Sequence, residues 1–219
     1  PNFQTCALYQ ENIPNYGFKA DILYIQPEWV NKHYDTIVSK NPRGTGEDDY
    51  AFLIITGNTN PGLSLPSKFN YAPISTSESN YDIGTSIDVG GFPGAPASIL
   101  DLARAGSLKT DSTEITDVFT LEKNSVDVIS TDTTPVAQRG ASGGGVFRNG
   151  ELIGITVTTS GSGRNAKINA LTTDYINRDL RSDLGTGISA FISGDVRGRS
   201  ARFIEEELPA LAELLGGQL

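Results

Sequence analysis

The chain has 219 residues, 37% of them hydrophobic and 20% charged, enough to bury a core in one large domain or two small ones. Its formal net charge of −9 argues against a nucleic-acid partner, which demands clustered Lys and Arg, and no apolar run approaches the roughly 18 residues of a membrane span. Cys6 is the single cysteine, which excludes an internal disulfide and a cysteine metal cluster. It reads as a small buried hydrophobe or as the partner of a cysteine upstream. The sequence opens on Pro1 and contains no methionine, so it is expected to be a processed or trimmed product.

In chain order, the pattern predicts short strands over Thr5–Gln10, Ala20–Gln26, Tyr50–Thr56, Gly84–Val89, Glu114–Leu121, Ser125–Ser130, Gly144–Phe147, Leu152–Thr158 and Lys167–Leu171. Each is rich in Val, Ile, Leu, Tyr, Phe or Thr and is bounded by Gly, Pro, Asn or Ser. Asn149-Gly150 between two such runs is the strongest hairpin signal. A short helix is predicted over Thr172–Leu180, with Thr172 or Thr173 as its N-cap. Many short strands at this spacing predict an all-β sandwich or a pair of barrels.

From Arg181 the composition changes. "RSDLGTGISAFISGDVRGRS" is Gly- and Ser-rich, and "ARFIEEELPALAELLGGQL" is helical in character, with Pro209 expected to divide it. Residues 182–219 are therefore expected to be a linker and an amphipathic helical tail outside the main fold. The segment 202–215 is a candidate docking helix, within the chain or toward another domain.

The stretch "GASGGGVFRNGELIGITV", residues 140–157, sets Ser142 between glycines. A serine so placed is either a turn residue or a nucleophile whose hydroxyl is exposed beside backbone N–H groups. In a chain with 24 glycines, the motif alone decides nothing.

Its surroundings carry more. After Ser142 come a strand, the Asn149-Gly150 turn, the strand "ELIGITVTT", a Gly/Ser-rich loop, and "KINALTTDYINRDL", a strand running into a helix. Upstream lie "ILYIQPEW", "EDDYAFLII" and "IGTSIDVGGFPG". In this order the segments resemble the chymotrypsin/trypsin-like serine peptidases over roughly residues 3 to 181. The resemblance implies a chymotrypsin-like double β-barrel with the first barrel incomplete, a short C-terminal helix and a helical tail. The expected boundaries are 1–80 for the partial first barrel, 81–181 for the second and 182–219 for the tail. It also implies serine endopeptidase activity through an acyl-enzyme, a peptide or protein substrate, no cofactor or metal, and a secreted or periplasmic location.

Transferred residue by residue, Ser142 matches the nucleophile and the N–H groups of Gly140 and Ser142 match the oxyanion hole. Asp49 matches the aspartate that orients the catalytic histidine, with Asp48 its rival if the register slips by one. Val157, Thr158 and Thr159 match the strand that pairs with substrate. Val136 and Ala137 fall at the base of the primary specificity pocket, with Arg139 at its mouth. Asp49 also reads as a solvated strand-entry aspartate, and Val157–Thr159 would form a strand whatever the function.

The departures are as informative. The one histidine, His33, follows "QPEW" in a stretch expected to be a surface loop. It is a loop residue, a substrate contact or a substitute base. The histidine expected by family order would precede Pro1. Losing that base costs about 10⁶-fold in turnover, so this chain alone is expected to be nearly inert. Ala141 stands where trypsin-like members carry the aspartate that receives a new N-terminus. This leans toward the bacterial glutamyl-endopeptidase-like and heat-shock-protease-like branches. Uncharged Val136 and Ala137 favour a small or apolar substrate side chain, while Arg139 favours an acidic one. The alternatives are a pseudoprotease that binds peptides or a partner protein, and an unrelated β-sandwich with a chance glycine-serine turn.

Overall fold

The computed structural model describes residues 5–9, 17–36, 44–94, 108–121 and 124–217, with backbone alone for 5–9. It divides into two units. Unit 1 comprises residues 1–44, 48–70 and 189–219, and unit 2 comprises 45–47 and 71–188.

Unit 2 is a closed barrel of β4 (Ser86–Gly91), β5 (Lys109–Phe119), β6 (Val128–Thr133), β7 (Gly145–Arg148), β8 (Glu151–Ser160) and β9 (Lys167–Thr172). The strand order is β4-β5-β6-β9-β8-β7, and β7 pairs back onto β4 through Val89 and Val146. Alternation along the strands supplies the core. Ile87 and Val89 of β4, Ile115 of β5, Ile129 of β6 and Ile168 of β9 meet in one cluster, each at most 2% exposed. Asn149 and Gly150 both have positive φ, at 53° and 80°, as a two-residue hairpin between β7 and β8 requires. Leu152 N–H donates to Pro73 O at 2.7 Å and Ser75 N–H to Leu152 O at 3.0 Å, so the segment before β4 is bonded to β8, and residues 71–188 cluster together in unit 2.

After β9 comes α2 (Thr173–Leu184). Its N-cap is Thr172, whose hydroxyl accepts from the Tyr175 N–H at 3.0 Å. The helix runs one turn beyond its predicted end and stops at Gly185, which takes φ 69°.

Unit 1 holds one antiparallel sheet among its described residues, β1 (Thr5–Tyr9), β2 (Gly17–Ile25) and β3 (Ala51–Asn58), in that order. Cys6 lies in β1 opposite Ala20; its side-chain environment falls outside the described residues. A helix, α1 (Pro27–His33), follows β2 where a loop is expected. Pro27 opens it with preset φ, and the Gln26 side chain caps it by accepting from the Glu28 N–H at 3.0 Å. Glutamine is an uncommon cap and the helix is short, so the pattern is easy to miss.

The C-terminal residues also correct an expectation. Between Ile188 and Gly216 lie α3 (Ile188–Phe191), α4 (Val196–Arg202), a π turn (Phe203–Glu207) and α5 (Leu208–Gly216). Residues 189–219 are part of unit 1, not a tail outside the fold. Ser200 donates to the carbonyl of Ile22 at 2.7 Å, and Tyr24 packs against Phe191 and Phe203 at ring distances of 5.8 and 5.5 Å. Pro209 does not divide the run. Proline has no N–H for the α-helical bond, and the π turn, closed by Leu208 N–H to Phe203 O, brings it in at the first turn of α5. No described helix is long and apolar enough to cross a membrane.

Candidate active site

The loop from Thr134 to Gly144 joins β6 to β7 and carries Ser142 through a pair of consecutive tight turns. In the first, Ala141 N–H reaches Gln138 O at 3.0 Å and Gly140, its third residue, has φ 95°. In the second, Gly144 N–H reaches Ala141 O at 2.9 Å and Gly143, again third, has φ 83°. A left-handed third residue is the mark of a type II turn and favours glycine. The Gly-x-Ser-Gly spacing therefore has a backbone cause: Ser142 stands between the glycines that bend the chain on either side of it.

Gly144 is required for a different reason. A Cβ there would lie 2.4 Å from Gly90 O and 2.8 Å from Ala141 O, so the loop can lie against β4 only without a side chain. Ala141 is 1% exposed and anchors the loop in the barrel core, while Ser142 is exposed. The loop is fastened to β8 through Thr156, whose carbonyl accepts from Gly143 N–H and whose N–H donates to Gly144 O, both at 2.8 Å. The Ser142 hydroxyl donates to Val157 O at 3.3 Å, its one hydrogen bond among the described residues. The N–H groups of Gly140 and Ser142 have no protein acceptor among those residues.

Beside the loop, β8 pairs with β7 as far as Ile155, Thr156 bonds to Gly143 and Gly144, and Thr158–Ser160 continue in the pairing with β9. Val157 is the bulged residue in that pairing and is 6% exposed; Thr158 is half-buried and Thr159 is exposed. Thr158 accepts from Asn169 Nδ2 at 3.1 Å. Val136 and Ala137 are buried in the core, and Arg139 is exposed, its carbonyl accepting from Gly94 N–H at 2.8 Å.

The remaining candidates lie in unit 1. Asp48 is buried with φ 62° and forms an ion pair with Lys32 at 2.9 Å, which ties α1 to the entrance of β3. Asp49 is half-buried. Burial pushes its carboxyl above the usual carboxylate value, and the charge of His33 pulls it part of the way back. His33 is the last residue of α1, half-buried, with its ring 5.5 Å from that of Trp29. The expectation of a surface-loop histidine is thus replaced by a helical one.

The structure therefore gathers Gly140, Ser142 and Val157 in unit 2, and Asp49 with His33 in unit 1. Sequence reasoning missed Thr156 and Gly46. Thr156 reads as one more strand residue. Gly46, at φ 83°, lies against the Val157 side chain, and its only signal is a glycine ahead of "EDD". No group of three or more His, Cys, Asp or Glu that could hold a metal ion occurs among the described residues.

No protein-family model matches the chain, and no curated protein matches it. Among solved structures, that of scabies mite inactivated protease paralogue S-I1 is similar over 84% of this chain and 95% of its own, with 14% identity and a TM-score of 0.45.

Proposed function

We propose that the chain is a trypsin-like serine peptidase built on a chymotrypsin-like fold, with Ser142 as nucleophile. The observation that carries this reading is the pair of tight turns around Ser142. They leave Ser142 exposed and leave the N–H groups of Gly140 and Ser142 without a protein acceptor among the described residues. In the proposed reaction Ser142 Oγ attacks the peptide carbonyl carbon and gives its proton to a base. The carbonyl oxygen becomes an oxyanion held by the two N–H groups. Collapse breaks the C–N bond, the amine leaves with the proton, and water then hydrolyses the acyl-serine. The resemblance assigns the base to an imidazole oriented by the Asp49 carboxylate, and no histidine of this chain matches that imidazole, His33 being its one histidine. Extended substrate adds as a strand to the Thr158–Thr159 edge of β8.

A second reading has its own observation. The Ser142 hydroxyl rests on Val157 O and not on a titratable group, as suits a module that binds peptide without cleaving it. Fluorophosphonate labelling of the chain, alone and joined to an upstream segment that carries a histidine, read by intact mass and peptide mapping, separates the two, with little or no label expected on the chain alone. Label at Ser142 in the longer chain that disappears in Ser142→Ala supports the peptidase. Peptide binding at β8 without label in the longer chain supports the binding module, and a longer chain that does neither removes both readings.

A further inference from the structure

We infer that Gly46 is a positioning residue for Ser142, acting through the bulge at Val157. Its effect on a reaction rate rests on the proposed peptidase reading; the placement of Ser142 does not. The chain of contacts has two links. The Gly46 backbone lies against the Val157 side chain, and the Val157 carbonyl accepts the Ser142 hydroxyl at 3.3 Å. Both links lie within one unit, since residues 45–47 group with the barrel.

Val157 is the compliant point between them. On one side Thr156 is bonded twice to the Ser142 loop and pairs with Ala170; on the other, Thr158 pairs with Asn169 and accepts from its side-chain amide. Val157 itself is skipped in that pairing, as a bulged residue is, so the ladder does not fix it. Its side chain is β-branched and stiff about χ1, so a push on a methyl passes to the backbone instead of being absorbed by rotation. What that side chain meets is Gly46, which is buried with φ 83°. The turn holding Gly46 is closed across it by Glu47 N–H to Thr45 Oγ1 at 3.2 Å.

The room available sets the size of the effect. A Cβ on residue 46 would stand 2.4 Å from Val157 Cγ2, whereas carbon atoms settle at about 3.5–4.0 Å, so the two must part by about 1 Å. The bond from Ser142 to Val157 O is already long for a hydroxyl donor, and a further shift of that size breaks it. Ser142 then loses the one partner among the described residues that holds its hydroxyl in a single rotamer. Misplacing a reacting group by about 1 Å costs about 10²-fold in rate.

Amide-resolved NMR of the full chain tests this on Gly46→Ala, Val157→Ala and the double variant. The Ser142 and Gly143 signals are expected to move in Gly46→Ala and to return in the double variant, where the new methyl occupies room that valine vacates. If Gly46→Ala does not fold, Val157→Ala carries the test, because emptying the seat frees the bulge and must move the same signals. Fluorophosphonate labelling of Ser142, in the chain joined to a histidine-bearing segment, should slow about 10²-fold in Gly46→Ala and recover in the double variant. The stability lost to the left-handed φ should not recover with it, which separates positioning from folding. Signals that stay in place in the single variants, or that move and do not return in the double one, overturn the inference and leave the peptidase reading standing. Signals that move and return as expected, with no label on the native longer chain, uphold the placement of Ser142 and overturn the peptidase reading alone.

Discussion

Gly46 and Val157 are in face-to-face contact: a methyl added to Gly46 would stand 2.4 Å from Val157 Cγ2. Gly46 also has φ 83°, so its substitution is penalised by sterics and by backbone at once. Gly46→Ala is expected to cost about 2–3 kcal/mol, measured by denaturant unfolding. Adding Val157→Ala should recover the steric part and leave the backbone part. A double variant no more stable than Gly46→Ala would show that the contact is not the cause.

Ser200 tests whether the C-terminal helices are structural. It is 4% exposed, and its hydroxyl satisfies the Ile22 carbonyl. Ser200→Ala leaves that acceptor buried and is expected to cost about 1–2 kcal/mol. Hydrogen exchange should show faster exchange in β2 and β3 with β4–β9 unchanged. Exchange that is the same everywhere would mean these helices do not support the sheet.

Most strands of this fold are legible as short apolar runs closed by turn residues, and the hairpin at Asn149-Gly150 is dictated by positive φ at both positions; the polar first half of β5, KTDST, carries no such signal and is missed. The helices are less so. Gln26 caps α1 although Ser, Thr, Asp and Asn dominate such positions, and the π turn before Pro209 removes the break that proline normally signals. In the site, Gly140 and Gly143 announce themselves because their turns favour glycine. Val136 and Ala137 are assigned to a pocket only by the resemblance, and their near-complete burial goes with Thr134 reaching Ala166, a contact no local pattern encodes.

Gly140 is where backbone conformation and proposed chemistry meet. Its φ of 95° sets the turn at the peptide proposed to supply one oxyanion N–H. Gly140→Ala strains the turn, and the loss of one such donor costs about 10²–10³-fold in rate. Fluorophosphonate labelling should slow accordingly, while barrel stability changes by no more than about 1–2 kcal/mol because the residue is exposed. Unchanged labelling would remove Gly140 from the site.

Asp49 separates a functional carboxylate from a structural one by the sign of its effects. Burial raises its carboxyl above the ordinary 3.8, so the folded chain holds this proton more tightly than the unfolded chain does. The favourable contribution is therefore present in acid and is lost as pH rises through the folded-state value; at neutral pH the ionised group opposes folding. Asp49→Asn should raise Tm at pH 7, and the gain should shrink toward zero as pH falls through the carboxylate range and the native side chain becomes neutral. On the peptidase reading the same change, made in a chain joined to its histidine-bearing segment, should lower turnover by about 10⁴-fold, because an amide cannot hold the imidazole in its working tautomer. A variant less stable at pH 7 would contradict the burial argument. One that is more stable with undiminished labelling of Ser142 would contradict the role assigned to Asp49.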